Sequence, residues 1–552
     1  MTTQYKVVVL FVAVFFVTAQ SAVAQDKDKE NLGGDVQEIT TTLKVRMAEA
    51  NKIELVPSLP PIDTSSKKLK YNVPAHPVEM KYEAPTLRPI AVKAAEKQAD
   101  YRGFARLGAG SPTSFLGEGG YYFGKTDNYD GRIYLKHHQL SADRALENQR
   151  FSSTAGALSG NYYQLPSNLA VSAKIGYNYD RVHFYGYDHE TTSFTREATR
   201  QDYKLLDFTS KLYNRERTDM DLNFSLAPRV YLLNDYYSNR EIGFDMPMTA
   251  TKWFNEKHAL RLVLRPDITT FTDTNTQKLN NIYLQPSFTF HADAVQFKLG
   301  ANFVNHKDVF SIFPDVDLTL RIWGEGIQAF AGANGDLRKN TYLSMSRYNP
   351  FIQIRESELR NTSTLNFYGG VKGNVGFIEY NAQFGYNKAN DLALYQTIFQ
   401  TDQSGALLTR FATLYDSASI FNMQFTAKIK PVENLVLTAT ASQNVYSLSN
   451  QEAAFGLPEI EGNFGAVYSL LENKMSLKAN FYMADKIAYR DELGVLGKSS
   501  ALYDLSLGGS YYFAKHVGAF LDINNILNNK RERWYRYPMV GLNFMIGVTA
   551  RF

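Results

Sequence analysis

A chain of 552 residues with a mean hydropathy of −0.31, 14% aromatic residues and a net charge of +4 excludes several classes at once. It is too polar for a bundle of transmembrane helices and too weakly basic for an electrostatic nucleic-acid binder. With no cysteine, it holds no disulfide, thiolate metal site, cysteine nucleophile or lipid-modified N-terminal Cys.

In chain order, Lys6, the apolar run Val7 to Val17 and the small residues Ala22–Val23–Ala24 read as an export signal, residues 1–24, cleaved after Ala24. That run is about half of the roughly 20 residues a spanning helix needs, so no helical anchor is expected. Residues 25–100 differ from everything after them. Pro57, Pro60, Pro61, Pro74, Pro77, Pro85 and Pro89 stand among lysines, and each removes an N–H and restricts its predecessor. The expectation is an extended, Pro/Lys-rich periplasmic arm of polyproline character.

From Tyr101 to Phe552 the pattern has a period of two, broken by turn-rich stretches such as "KTDNYDG" and "DTNTQKLNN". Ile378, Tyr380, Ala382, Phe384 and Tyr386 alternate with Glu379, Asn381, Gln383, Gly385 and Asn387; Phe421 to Ile429 and Met475 to Met483 alternate likewise. So do Leu169 to Tyr179, Met220 to Leu226, Ile282 to Phe290, Tyr503 to Phe513 and Val517 to Ile523. Many segments reach the roughly 9 to 11 residues a membrane strand requires, longer than the strands of a soluble sandwich. Lipid tolerates no unpaired edge, so the expected fold class is all-β: a closed transmembrane antiparallel β-barrel over 101–552, with about 22 strands and roughly 14 to 24 defensible. The polar faces then line a wet interior. Arg261, Arg265, Glu379, Lys428, Lys430, Lys478, Asp504 and Asp522 are the lumen-facing candidates, and the Tyr/Phe clusters in "YNYDRVHFYGY", "ANFYMADKIAY" and "GGSYYF" are expected at the interfacial belts.

No catalytic constellation emerges. The 9 histidines are scattered, and consecutive His137 and His138 on one strand point to opposite faces, against joint metal ligation. Gly108, Gly110, Gly117, Gly119 and Gly120 lack the Lys–Ser/Thr of a phosphate loop, and "DTNTQ" lacks calcium-loop spacing. No enzyme, cofactor or metal is expected.

The chain ends "VGAFLDINNILNNKRERWYRYPMVGLNFMIGVTARF", with Val540 to Phe552 strictly alternating. Asn524, Asn525, Asn528 and Asn529 in a turn, Tyr537–Pro538 leading into the last strand, and a terminal Phe552 resemble the closing strands of TonB-dependent receptors. The resemblance is specific over this ending, general over the barrel and poor before residue 100, where there is no room for a full plug domain; it is nearest to the plugless variant of that family. Val36 to Val45, "VQEITTTLKV", resembles a TonB box with a truncated plug strand.

The resemblance implies a barrel of 22 strands in the outer membrane of a Gram-negative cell, with lipid and the barrel-assembly machinery as partners. It also implies that Phe544, Ile546, Val548 and Phe552 carry the assembly signal. The functional expectation is uptake or passage of a hydrophilic solute, as through a receptor or porin. The alternative is a non-transporting barrel that scaffolds an envelope secretion or assembly complex and holds a periplasmic or lipoprotein partner through residues 25–100.

Overall fold

A computed structural model describes residues 101–552 apart from 125, 127 and 402–406. The expected signal peptide and arm, the expected lack of a full plug and the Val36–Val45 reading fall outside these residues. Twenty-four strand segments form one antiparallel sheet that closes when the first, Gly103–Ser111, pairs with the last, Asn543–Arg551. Two strands are each divided by a proline, Leu222–Leu226 from Arg229–Asp235 at Pro228 and Arg240–Asp245 from Met248–Phe254 at Pro247. Counted whole, they make a closed barrel of 22 strands. Neither proline can donate to the ladder. Their carbonyls still accept, from Ser210 N–H at 2.9 Å and Ala227 N–H at 3.1 Å, so the wall stays continuous.

The two faces follow the alternation. On the last strand Ile546 is 59% exposed and its neighbour Met545 6%, which sets Phe544, Ile546 and Val548 outward and Met545 inward. At the seam, Arg102 and Gly103 N–H both donate to the Phe552 carbonyl at 2.7 Å, and the Phe552 ring stacks 6.1 Å from Tyr121. Glycine is required here by close approach: a Cβ on Gly110 would lie 1.9 Å from the Phe544 carbonyl oxygen, and one on Gly547 2.1 Å from that of Leu107. The glycine cluster near residue 110 thus permits closure.

Connections at one end are short turns, as at 376–377 and 433–434. Those at the other include 184–199, 340–360, 485–501 and 525–542. Bacterial barrels keep short turns on the periplasmic side, so the long connections face outward. There the strands Ile378–Thr401 and Leu407–Val432 overshoot the bilayer, with 24 and 26 residues.

The last strand departs from the sequence expectation. It starts at Asn543 because side-chain amides capture the preceding backbone: Asn528 Oδ1 accepts from Leu542 N–H at 3.0 Å, and Asn525 Nδ2 donates to the Val540 carbonyl at 2.9 Å. Tyr537–Pro538 does not lead into that strand. It pairs with Glu532–Trp534 in a small separate hairpin whose Tyr537 is buried.

Candidate functional site: a capped polar lumen

Below the cap the lumen has two unlike walls. One is ion-paired. Arg265 Nε meets Asp245 at 2.6 Å, and Asp267 receives both Arg265 (3.4 Å) and Lys339 (2.6 Å). Asp207 pairs with Arg229 and Lys298 with Asp315 at 2.5 Å, whereas Asp202, held by Arg181 at 2.8 Å and Arg200 at 2.6 Å, lies on the outward face with Leu206 and Phe208. Near the seam Arg106 bridges Asp522 (3.3 Å) and Glu118 (3.8 Å).

The other wall is lined by amides and hydroxyls. Across it the register aligns Gly385 with Asn422 and Asn444, and Asn381 with Thr426, Thr440, Asn463 and Tyr482. The Oδ1 atoms of Asn381, Asn387, Asn422, Asn444 and Asn463 have no hydrogen-bond partner among the described residues.

The lumen-facing candidates are distributed over both walls and the seam. Arg265 and Asp522 belong to the ion pairs above. Arg261, opposite Ser287 and Thr251, alternates with the exposed Leu260 and Leu262. Glu379 and Lys428 face each other across one strand pair; Asp504 accepts from Ser506 O–H at 2.9 Å; Lys478 lies opposite Gly508 and Val467. Lys430 sits where the register shifts between Ile429 and Val432, at the end of its strand, and its own N–H donates to the Phe377 carbonyl at 2.8 Å. The structure does not gather the eight into one cluster, although Glu379 faces Lys428 and both Lys478 and Asp522 lie opposite Gly508 on its two neighbouring strands. Their partners Asp245, Asp267 and Arg106 went unremarked in the sequence, although an acidic residue at an inward position opposite an arginine strand is a recoverable signal.

Over the outer mouth the long connections fold together on an aromatic core. Tyr537 stacks on Phe351 with centroids 3.8 Å apart and meets Tyr185 at 4.9 Å; Trp534 meets Phe411 at 5.1 Å and Tyr395 at 5.7 Å. Backbone bonds tie these connections to the overshooting strand, from Thr409 N–H to the Gly186 carbonyl (2.8 Å) and Gln353 N–H to that of Phe411 (2.7 Å). Arg410 lies 3.6 Å over the Phe184 ring and donates to the Phe351 and Ile352 carbonyls. The short helix Tyr342–Tyr348 is anchored by fully buried Glu241, which accepts from Tyr342 N–H (2.6 Å), Leu343 N–H (3.0 Å) and Tyr231 O–H (2.9 Å). A carboxylate at a helix N-terminus satisfies donors that have no partner within the helix.

This cap corrects the interfacial-belt expectation in part. Of "YNYDRVHFYGY", Tyr177 is exposed toward lipid, Tyr179 lies on the same outward face and donates to Asp202, and Phe184, Tyr185 and Tyr187 are buried in the cap. Of the other two clusters, Tyr482 turns inward to Glu461 at 2.5 Å and Tyr489 stacks on Tyr535 at 4.1 Å, while Tyr511 and Phe513 stay exposed.

The FrpB iron transporter from Neisseria meningitidis (F3-3 variant) superposes with a TM-score of 0.63 at 9% identity, covering 83% of this chain and 82% of its own. The siderophore receptor PirA from Acinetobacter baumannii gives 0.61 at 9% identity over 82% and 81%, and the copper transporter OprC 0.57 at 14% over 82% and 80%. The fold is that of TonB-dependent receptors. No protein-family model and no curated protein matches the sequence. The solved structures that share this barrel fold include an iron transporter, a siderophore receptor and a copper transporter.

One contact between outer connections is expected to respond to pH. Burial alone pushes the Asp143 carboxyl up, but Asn148 N–H at 2.9 Å and the Arg196 guanidinium at 2.7 Å outweigh it and hold the group below its ordinary 3.8. A depressed carboxylate contributes stability above its unfolded value and loses it as pH falls through the folded one. The tie between connections 142–149 and 184–199 is therefore expected to persist at about pH 5 and give way only below the ordinary value. Hydrogen exchange of residues 184–199 against pH checks this. Asp143→Asn is expected to raise exchange at neutral pH and abolish the acid step, and the effect is modest because Arg196 is largely exposed.

Proposed function

We propose that the protein passes a hydrophilic solute across the outer membrane and that the aromatic cap is the gate. The observation that carries this reading is a polar, water-compatible lumen beneath a mouth where side chains from several connections pack against one another and against wall residues such as Tyr395 and Phe411. Arg261, Arg265, Glu379, Lys428, Lys430, Lys478, Asp504 and Asp522 then hydrate and guide the solute. Phe544, Ile546, Val548 and Phe552 present the outward apolar edge that the barrel-assembly machinery reads, and residues 25–100 act as a periplasmic gate or tether.

The cap itself favours a second reading, a non-transporting scaffold, because a mouth closed by stacked rings is costly to open. Single-channel recording in planar bilayers separates the two. Transport predicts rare openings in the full chain whose charge selectivity shifts in Lys428→Glu; unchanged selectivity counts against the lumen assignment. Silence under all conditions, with a stoichiometric partner that co-purifies until residues 25–100 are deleted, overturns transport in favour of the scaffold.

A further inference from the structure

The outward face of the barrel turns basic just above its apolar band, on the strands that flank connection 184–199. Toward the outer mouth, the outward side of strand Arg200–Asn214 runs Phe208, Leu206, Lys204, Asp202 and Arg200, and that of Leu169–His183 runs Ile175, Tyr177, Tyr179 and Arg181. The ladder carries the Lys204 level sideways. Tyr179 lies opposite Lys204, Lys204 opposite Asn234, and Asn234 opposite Arg240, whose next outward neighbour is the exposed Ile242. Strands stand about 4.8 Å apart, so the backbones of Lys204 and Arg240 are about 10 Å apart and their side chains can reach one phosphate.

The groups above this row are fixed. Asp202 is fully buried beneath Arg181 (2.8 Å) and Arg200 (2.6 Å). The Arg181 guanidinium lies 5.4 Å and the Lys204 ammonium 5.8 Å from the Tyr179 ring, and the Arg200 guanidinium 4.9 Å from that of Tyr236. Arg181, Arg200, Lys204 and Arg240 thus share one buried carboxylate. Glu197 comes within 3.6 Å of Arg200 but is itself largely exposed. Asp235 and Glu241, beside Asn234 and Arg240 in the chain, turn inward, where Asp235 accepts from Tyr342 O–H at 2.7 Å and Glu241 from Tyr342 N–H. Lys204 and Arg240 are exposed and have no ion pair among the described residues. On the far wall the level above the exposed Tyr386 holds a single cation, Lys388, beside Ser419 and Ser447.

Charges turned outward directly above a lipid-facing surface stand in the headgroup layer, where cations attract anionic lipid and match phosphate oxygens. We infer that this face binds an anionic lipid of the outer leaflet through its phosphate. Lys204 and Arg240 take the headgroup, Arg181 and Arg200 add positive potential above it, and the acyl chains lie on Leu206, Phe208 and Ile242. The site does not depend on transport.

The full chain in mild detergent is incubated with bisphosphorylated lipid A, washed, and its retained lipid counted by native mass spectrometry. Stoichiometric retention is expected, with far less of phosphatidylethanolamine, whose headgroup is zwitterionic. Lys204→Gln and Arg240→Gln should each weaken retention about fivefold, Lys204→Arg should preserve it, and Lys388→Gln should leave it unchanged. Neither Lys204 nor Arg240 is ion-paired, so these variants should keep the heat-modifiable gel mobility of a folded barrel. Equal retention of phosphatidylethanolamine, or equal losses in Lys204→Gln and Lys388→Gln, overturns the site. Displacement of the lipid by excess inorganic phosphate would show a site for free anions and overturn the assignment to lipid.

Discussion

Leu262→Arg is expected to destabilise the barrel by about 2–4 kcal/mol, the cost of placing a guanidinium in the hydrocarbon mid-membrane. Leu262 is 46% exposed, lies between the outward Leu260 and Leu264 on strand His258–Thr272, and faces Pro286 and Ala250 on its neighbours. Nothing polar is there to receive the charge. The adjacent Arg261 points into the lumen, so Arg261→Leu removes a hydrated charge and should shift stability by no more than about 0.5 kcal/mol. Urea unfolding in lipid vesicles checks the pair. Equal losses for the two variants would mean that the outer face is not solvated by lipid.

Tyr537→Ala should unseat the cap while leaving the barrel closed. The side chain is 2% exposed, stacks on Phe351, meets Tyr185 edge to face, and donates to the Thr409 carbonyl at 2.5 Å; it fills a site so tight that a Cβ on Gly186 would lie 2.4 Å from its ring. Truncating a buried aromatic costs about 3–5 kcal/mol, and here the loss falls on connections 184–199, 340–360 and 525–542 and not on the strand ladder. Single-channel conductance is expected to rise severalfold, with protease cleavage appearing in 340–360 and heat-modifiable gel mobility retained. Tyr537→Phe keeps the ring, loses about 1 kcal/mol for the hydrogen bond, and should stay largely closed. Cleavage in the cap without any gain in conductance would show that something other than the cap seals the lumen.

Much of the barrel was legible because lipid imposes a rule on every other residue. Ile378 to Tyr386, Phe421 to Ile429 and Met475 to Met483 each fall inside a strand with the anticipated faces, and the count of about 22 matches the closed sheet. The errors lie where that rule lapses. Beyond the bilayer the strand Ile378–Thr401 shifts register between Ala389 and Leu392, and Asp391 takes φ 54°. Past that bulge, Leu392 and Leu394 are buried beneath the cap. Aromatic residues are ambiguous in sequence because belt, lumen and cap all favour them: Tyr177 and Tyr179 lie on the outward face, Tyr482 turns inward to Glu461, and Tyr185 is buried in the cap.

Alternation, proline placement and the absence of cysteine were enough to determine a membrane barrel and which side of each strand lipid touches, since both depend on neighbours along the chain. The stacking of Phe351 on Tyr537, the edge-to-face contacts of both with Tyr185, and the anchoring of Tyr342 and Leu343 by Glu241 were decided only by tertiary structure. These contacts join residues more than a hundred positions apart, mostly through connections that have no periodicity. Their geometry is set when the wall closes and brings the connections over one mouth.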